Sequence, residues 1–207
     1  MATPFAPTVE AERTDTYEDI VPTIMAAFLG IAVFGWLVSA FLSGIHFWAI
    51  PQIPAGAELS GSLTVITSQW AYIGPVPLAT LGAFYYLSTV GLASWWFATR
   101  HPLILKVLTP ITATGVLASA YFVYLQLGPI GAICPFCMMS AGASVVLFGL
   151  ELAALNRSTL PSLQSATADI SALVQPPATA WPLLVVAMGI ATLASFFGVT
   201  LAPVPGT

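Results

Sequence analysis

Charged side chains are scarce in this sequence. It has four Lys and Arg residues and eight Asp and Glu residues among 207, so 6% of the chain is charged and 58% is hydrophobic. A water-soluble domain uses about 25% charged residues to cover its core. Most of this chain must therefore face lipid. Four basic residues are also too few to neutralise a phosphate backbone, which excludes nucleic acid as a partner.

Cysteine is nearly absent as well, with Cys134 and Cys137 the only two. One pair excludes a framework of several disulfides. His46 is the only nearby candidate for a further metal ligand, so we expect no metal site. The first 22 residues lack a basic segment followed by an apolar run, the pattern of a secretory signal. They are acidic and contain several prolines, and we expect them to form a tail.

Long apolar runs dominate the rest of the chain. In lipid the backbone must satisfy its own hydrogen bonds, which favours helices. Each of five runs is long enough to cross the roughly 30 Å hydrocarbon core of a bilayer as a helix. These runs are residues 23–46, 75–98, 107–127, 132–155 and 181–201. The sequence therefore predicts an all-α integral membrane protein.

The connections between these runs differ in length and composition. After the first run, apolar side chains recur at helical spacing at Leu63, Ile66, Trp70 and Ile73. This spacing predicts a short amphipathic helix over about 59–73 on the membrane surface, with Ser60 or Ser62 as its cap. The predicted organisation is a tail over 1–22, a four-helix bundle over 23–155, a linker over 156–180, and a fifth transmembrane helix with the C-terminus over 181–207.

The basic residues predict the orientation of the chain in the membrane. Lys and Arg are enriched in cytoplasmic loops. All four lie on the same side of a five-span arrangement: Arg13, Arg100, Lys106 and Arg157. We therefore expect a cytoplasmic N-terminus and an extracytoplasmic C-terminus. The start of the fourth span, which contains both cysteines, would then be extracytoplasmic.

The two cysteines form one Cys-x-x-Cys motif, Cys134-Pro135-Phe136-Cys137, at the start of the fourth span. A thiol at a helix N-terminus gains from the exposed backbone amides, which favour its thiolate. Pro135 suits the first helical turn because its missing N–H costs little there. A disulfide over so short a spacing tends to be labile, which indicates redox chemistry. The alternative interpretation is two small buried hydrophobic residues in a helix.

Four stretches resemble, in order, motifs of the vitamin K epoxide reductase family in its bacterial, thiol-oxidising form. They are Ser39-Ala40-Phe41-Leu42-Ser43-Gly44-Ile45-His46, Ser68-Gln69-Trp70, Gly74-Pro75-Val76-Pro77-Leu78-Ala79-Thr80-Leu81-Gly82, and the Cys134-x-x-Cys137 motif. The resemblance covers about residues 30–155. It implies a four-helix bundle around a quinone in a bacterial inner (plasma) membrane, here with a fifth transmembrane helix.

The resemblance also implies a reaction and a set of site residues. Family members pass two electrons from the dithiol of a thioredoxin-like partner to a quinone, ubiquinone or menaquinone. By that likeness Cys137 faces the quinone, and Cys134 exchanges disulfides with the partner on the extracytoplasmic side. Trp70 would cover the quinone pocket. Its expected lining residues are Tyr121, Phe122, Met138 and Ala141.

The sequence departs from the family pattern in the first extracytoplasmic loop. Typical members carry two relay cysteines there, but residues 47–74 contain none, and the second relay position is Ser62. Ala141 occupies a position that often holds a substrate-contacting Tyr. Three accounts fit the missing relay cysteines. A partner dithiol attacks Cys134 directly, or the relay cysteines were replaced by design. In the third account the chain is a non-catalytic structural subunit of a larger respiratory or photosynthetic membrane complex.

Two further polar residues have alternative interpretations. His46 follows the first apolar run beside Phe47 and Trp48. It is either an interfacial residue of an aromatic belt, or a haem or pigment ligand, or part of a proton route to quinone. Glu151 lies near the cytoplasmic end of its span. There it could reach the interface or pair with Arg157, and a proton-relay role is the less favoured alternative.

Overall fold

The computed structural model describes residues 17–48, 50–54, 56–59, 61–160 and 180–201. These residues form six α-helices: α1 (Val21–Trp48), α2 (Ser62–Ile66), α3 (Leu78–Thr99), α4 (Pro102–Leu125), α5 (Pro135–Asn156) and α6 (Ala180–Leu201). Shorter elements are 3-10 turns at Ile50–Gln52 and Gln69–Ala71, a hairpin of β1 (Tyr72–Ile73) and β2 (Val76–Pro77), and a π-helical turn at Gln126–Ile130. Most of the expected tail and linker lies outside the described residues.

The five long helices coincide with the five apolar runs of the sequence to within a few residues. Among the described residues, three segments are long and apolar enough to cross a membrane: Val21–Gln52, Pro102–Ile130 and Pro135–Asn156. α3 is as long as α5 but contains more polar residues, and it packs against α1, α4 and α6. The predicted all-α membrane fold is confirmed.

α1 packs against both α3 and α5, and α4 packs against α5 and α3. The contact between α1 and α3 is close because Gly35 leaves room for the ring of Tyr86, and Gly82 lies against Ser39. Small residues at such positions let two helix backbones approach in a membrane, where packing drives association. Large side chains then fill the interior of the bundle, among them Phe28, Trp96 and Leu147.

The predicted surface helix over 59–73 is interrupted. Only Ser62–Ile66 is α-helical, and a 3-10 turn and the β1–β2 hairpin follow it. The helix ends where the hydroxyls of Thr67 and Ser68 donate hydrogen bonds to the carbonyls of Leu63 and Val65, both at 2.7 Å. Such local bonds compete with a continuing helix. Gly61 is the N-cap and no side chain caps the helix, so Ser62 does not serve as the cap.

The expected pairing of Glu151 with Arg157 is wrong. Arg157 Nη1 instead pairs with Glu18 Oε2 at 3.0 Å, in a half-exposed ion pair. A bridge between Tyr17 and Ser158 brings the segment before α1 to the end of α5 and places Glu18 within reach. Glu151 is fully buried, and Thr109 Oγ1 donates a hydrogen bond to its Oε1 at 3.1 Å.

Candidate functional site

The first residues of α5 hold the two thiols. Gly131 has a φ of 66°, which lets the chain turn after the π-helical segment before it enters this helix. Cys134 is the extended N-cap, with φ −101° and ψ 109°, and Pro135 takes the first helical position. The N–H of Cys137 donates a hydrogen bond to Cys134 Sγ at 3.2 Å. Cys134 sulfur therefore caps backbone amides that would otherwise be unpaired.

Gln126 fixes the backbone of Cys134. Its side-chain Oε1 accepts a hydrogen bond from the Cys134 N–H at 2.8 Å, and its Nε2 donates to the carbonyl of Phe122 at 3.5 Å. Gln126 is buried, at 3% exposure. No motif in the sequence indicated Gln126 as a site residue. Its mark in the sequence is a single side-chain amide at the end of an apolar run, eight residues before Cys134.

The environment of Cys134 favours its thiolate. The pKa of this thiol is lowered from its ordinary value of 9.0 to about 6, first through a hydrogen bond with the side chain of Cys137. Hydrogen bonds from the backbone amides of Cys137 and Phe136 and from the Ser62 side chain act in the same direction, whereas burial opposes them. Because hydrogen bonds to the charged form outweigh desolvation, the thiolate is favoured at Cys134 rather than at Cys137.

A small apolar cluster covers Cys134 completely. The sulfur lies among Val38 and Leu42 of α1 and Val65 and Ile66 of α2, and Cys134 has no exposed surface. The hydroxyl of Ser62, at the first residue of α2, lies close enough to this thiol to favour its thiolate. A molecule arriving from solvent therefore meets α2 before it can reach Cys134.

Cys137 lies at the wall of a cavity of about 370 Å³. α1, α3, α4 and α5 contribute to its walls, together with the segment from Val65 to Ile73. The lining is mainly apolar, and its volume is within the range of small-molecule sites in proteins. Cys134 is not among the lining residues, so the two thiols have different surroundings.

A family model described as the vitamin K epoxide reductase family matches residues 26–152, which is more than half of the chain. The chain belongs to the vitamin K epoxide reductase family. The family is one of membrane redox enzymes that generally use a quinone. No curated protein sequence matches the chain. The match includes most of α1, all of α2 to α4, the cysteine pair and most of α5.

The structure brings some of the family-derived site residues to the cavity and leaves others away from it. Trp70, Phe122 and Ala141 line the cavity along with Cys137. Tyr121 and Met138 do not, and they are 50% and 37% exposed. Each immediately precedes or follows a lining residue on its helix, and one residue turns a side chain by about 100° around the axis. The side chains of these two residues therefore lie outside the lining of the cavity.

Several polar residues that the sequence analysis did not assign also line the cavity. The Tyr86 hydroxyl donates to the carbonyl of Ser140 and pairs with Ser144 Oγ at 2.9 Å. The hydroxyl of Tyr85 is buried and has no hydrogen-bond partner among the described residues. In the sequence, Tyr85 and Tyr86 are marked only as two adjacent tyrosines within an apolar run.

His46 belongs to the cavity rather than to an exposed aromatic belt. It is 7% exposed, and its ring meets the ring of Tyr72 edge-on, with centroids 5.1 Å apart. Neither ring nitrogen has a hydrogen-bond partner among the described residues. Within the described part of the chain, no three His, Cys, Asp or Glu side chains are grouped as a metal site would require.

Proposed function

We propose that this protein is a thiol–disulfide oxidoreductase that passes electrons from a partner dithiol to a quinone through Cys134 and Cys137. The observation that carries the proposal is the position of Cys137 at the wall of an apolar cavity, one turn from a Cys134 whose thiolate is favoured. One thiol is thus placed for a ring substrate and the other for disulfide exchange.

The cavity suits the head group of a quinone. Its walls are mostly apolar, as a ring requires, and the buried polar atoms of Tyr85 and His46 lack partners among the described residues. A bound quinone would accept two electrons and two protons and become a hydroquinone. The side chains of Trp70 and Phe122 would enclose the ring, because both line the cavity.

Disulfide exchange with the partner follows from the two thiol environments. When the pair is oxidised, a partner thiolate attacks Cys134 Sγ. A mixed disulfide forms between the partner and Cys134, and Cys137 leaves as a free thiolate. The second partner thiol then displaces Cys134, which leaves readily because its pKa is about 6. The partner gains a disulfide, and the pair regains two thiols. Transfer of their two electrons and two protons to the quinone restores the Cys134–Cys137 disulfide.

The partner must reach a sulfur that is covered in this structure. Cys134 lies beneath α2, and the chain has no relay cysteine between residues 47 and 74. Direct exchange therefore requires α2 to move aside. α2 has only five residues, and two of them, Val65 and Ile66, pack in the cluster around Cys134, so those contacts would have to open.

We place this exchange on the extracytoplasmic side of a bacterial inner membrane, with a thioredoxin-like protein as partner. α5 begins beside the cysteines and ends before Arg157, so Arg157 lies at the opposite end of the bundle. Arg100 lies at that same end, because Tyr17 bridges to Ser158 and donates a hydrogen bond to the Arg100 carbonyl at 3.1 Å. Clustered basic residues favour the cytoplasmic side for that end.

The burial of Cys134 favours a second candidate, a non-catalytic structural subunit of a larger respiratory or photosynthetic membrane complex. A sealed thiol beside a serine cannot exchange disulfides unless α2 moves. In this candidate the two cysteines are retained only as small buried residues. Isolation of the native protein in fixed stoichiometry with other membrane subunits would support it.

A steady-state assay separates the two candidates. The purified full chain in lipid nanodiscs would receive dithiothreitol and a short-tail quinone, and hydroquinone formation would be followed by absorbance. The enzyme proposal predicts turnover that is abolished by Cys137→Ala and retained by Met139→Ala, a matched exposed position two residues away. Equal rates for Cys137→Ala and the wild type would contradict the proposal.

A further inference from the structure

We propose that Tyr85 is the hydrogen-bond donor that holds one ring oxygen of the quinone, at the end of the cavity away from Cys137. This inference rests on the proposed function and names the residue that orients the substrate. Tyr85 lies on α3 beside Tyr86, and both line the cavity.

The two neighbouring tyrosines differ in how their hydroxyls are used. Tyr86 is fully engaged within the protein: it donates to the Ser140 carbonyl, pairs with Ser144 Oγ at 2.9 Å, and accepts from Ser140 Oγ at 3.2 Å. Tyr85 Oη is buried and makes no hydrogen bond of regular geometry among the described residues, although the Ser144 side chain lies nearby. A buried hydroxyl is unfavourable without a partner, and nearly all of them have one. A ligand oxygen in the cavity would supply the missing acceptor.

The position of the Tyr85 hydroxyl is specified by α4. A Cβ atom at Gly115 would overlap the Tyr85 hydroxyl and ring, so only glycine there lets the phenol extend this far. Gly115 itself lines the cavity. The helices therefore provide room for a hydroxyl that makes no regular hydrogen bond within the described protein, as a substrate-binding group requires.

Tyr85 and Cys137 reach the cavity at different levels, measured along the axis of α5. Tyr85 Oη lies near Ser144, whose own hydroxyl is engaged by Tyr86. From Cys137 to Ser144 is seven residues of helix, about 10 Å along the axis. Between them Ala141 lines the cavity without any donor. A ring with oxygens on opposite sides could meet the thiol near one side and the phenol near the other.

Tyr85→Phe tests this assignment in the full chain in nanodiscs. The substitution removes one oxygen and breaks no hydrogen bond of regular geometry among the described residues, so the thermal midpoint without quinone should fall much less than in Tyr86→Phe. The KM for a short-tail quinone should rise about two- to tenfold, the range for one lost neutral hydrogen bond. The increase in thermal midpoint on adding that quinone should shrink accordingly.

Tyr86→Phe is the matched control because it removes the same atom from the neighbouring residue. It should lower the thermal midpoint without quinone, since three hydrogen bonds to α5 are lost. Gly115→Ala is a second test, because the added methyl displaces the Tyr85 hydroxyl. It should reproduce the KM increase of Tyr85→Phe.

The outcomes distinguish this inference from the proposed function. Wild-type turnover with an unchanged KM and an unchanged quinone-induced thermal shift in Tyr85→Phe would overturn the assignment of Tyr85 alone. A wild-type chain that neither binds nor reduces quinone would overturn both. A midpoint without quinone that falls as far in Tyr85→Phe as in Tyr86→Phe would show a structural role and also overturn the assignment.

Discussion

The N–H of Cys137 points at the sulfur of Cys134, with a nitrogen-to-sulfur distance of 3.2 Å. This contact places one thiol at the positive end of α5 and leaves the other one turn further along, at the cavity wall. Two residues of the same type, three positions apart, thereby acquire different chemistry.

The first prediction concerns the protonation of Cys134. In the reduced protein, absorbance at 240 nm should reveal a thiolate that titrates with a midpoint near the pKa of about 6. Cys134→Ser should lack this transition. Cys137→Ala should move the midpoint upward, because the Cys137 side chain is the largest cause of the lowered pKa. A midpoint near the ordinary value of 9.0 in the wild type would contradict the account.

The same pKa sets a pH dependence of stability. A group whose pKa is depressed on folding contributes stability that is complete above its unfolded pKa and is lost as the pH falls through its folded pKa. For Cys134 that contribution should decline from about pH 9 to about pH 6. Comparing the thermal midpoints of the reduced wild type and Cys134→Ser across this range measures it. A constant difference would show that the thiolate is not stabilised by folding.

Ser62→Cys should produce a disulfide with Cys134 under mild oxidation, because the Ser62 side chain already contacts that thiol. Mass spectrometry of a proteolytic digest would identify the linked peptides. Thr64→Cys is the matched control: it lies two residues away on α2, and its hydroxyl bonds to the Leu59 carbonyl. Equal cross-linking at both positions would contradict the contact between Ser62 and Cys134.

Gln126→Ala should destabilise the protein by about 1–3 kcal/mol, because the buried N–H of Cys134 loses its acceptor. Gln126→Glu replaces the amide oxygen with a carboxylate oxygen and is the informative comparison, since it preserves an acceptor for the Cys134 N–H. Equilibrium unfolding in mixed detergent micelles would measure both variants. A neutral effect of Gln126→Ala would show that this side chain does not hold the N-cap.

Close packing of α1 and α3 predicts opposite effects at two glycines. Gly35→Ala should destabilise the bundle by about 1–3 kcal/mol, because the added Cβ overlaps the ring of Tyr86. Gly30→Ala meets no atom within 4 Å and should stabilise α1 by about 0.5–1 kcal/mol. Both values come from the same unfolding experiment. Destabilisation of equal size at both positions would contradict the packing.

Hydropathy predicted the helices well because lipid imposes one strong condition on length and composition. It gave much less information about which face of each helix points inward, since helices in lipid are apolar all round. Phe122 lines the cavity and its neighbour Tyr121 does not, although the sequence favoured them equally. Tyr85 and Gln126 were missed for the same reason.

Other features depended on contacts that are distant in the sequence or local in the backbone. Arg157 pairs with Glu18 rather than Glu151 because Tyr17 bridges to Ser158, 141 positions later. The apolar spacing after Leu59 suggested one helix, but the hydroxyls of Thr67 and Ser68 bind carbonyls within that segment and end it. The periodicity of apolar residues alone predicts neither the distant ion pair nor the local hydrogen bonds that end the helix.

A single-turnover experiment tests the central claim most directly. Reduced protein in nanodiscs, freed of dithiol and kept anaerobic, would be mixed with one equivalent of a short-tail quinone. The account predicts one hydroquinone formed for each Cys134–Cys137 pair, with the loss of two free thiols and a disulfide linking those two residues. Recovery of all the quinone, with both thiols still free, would contradict it.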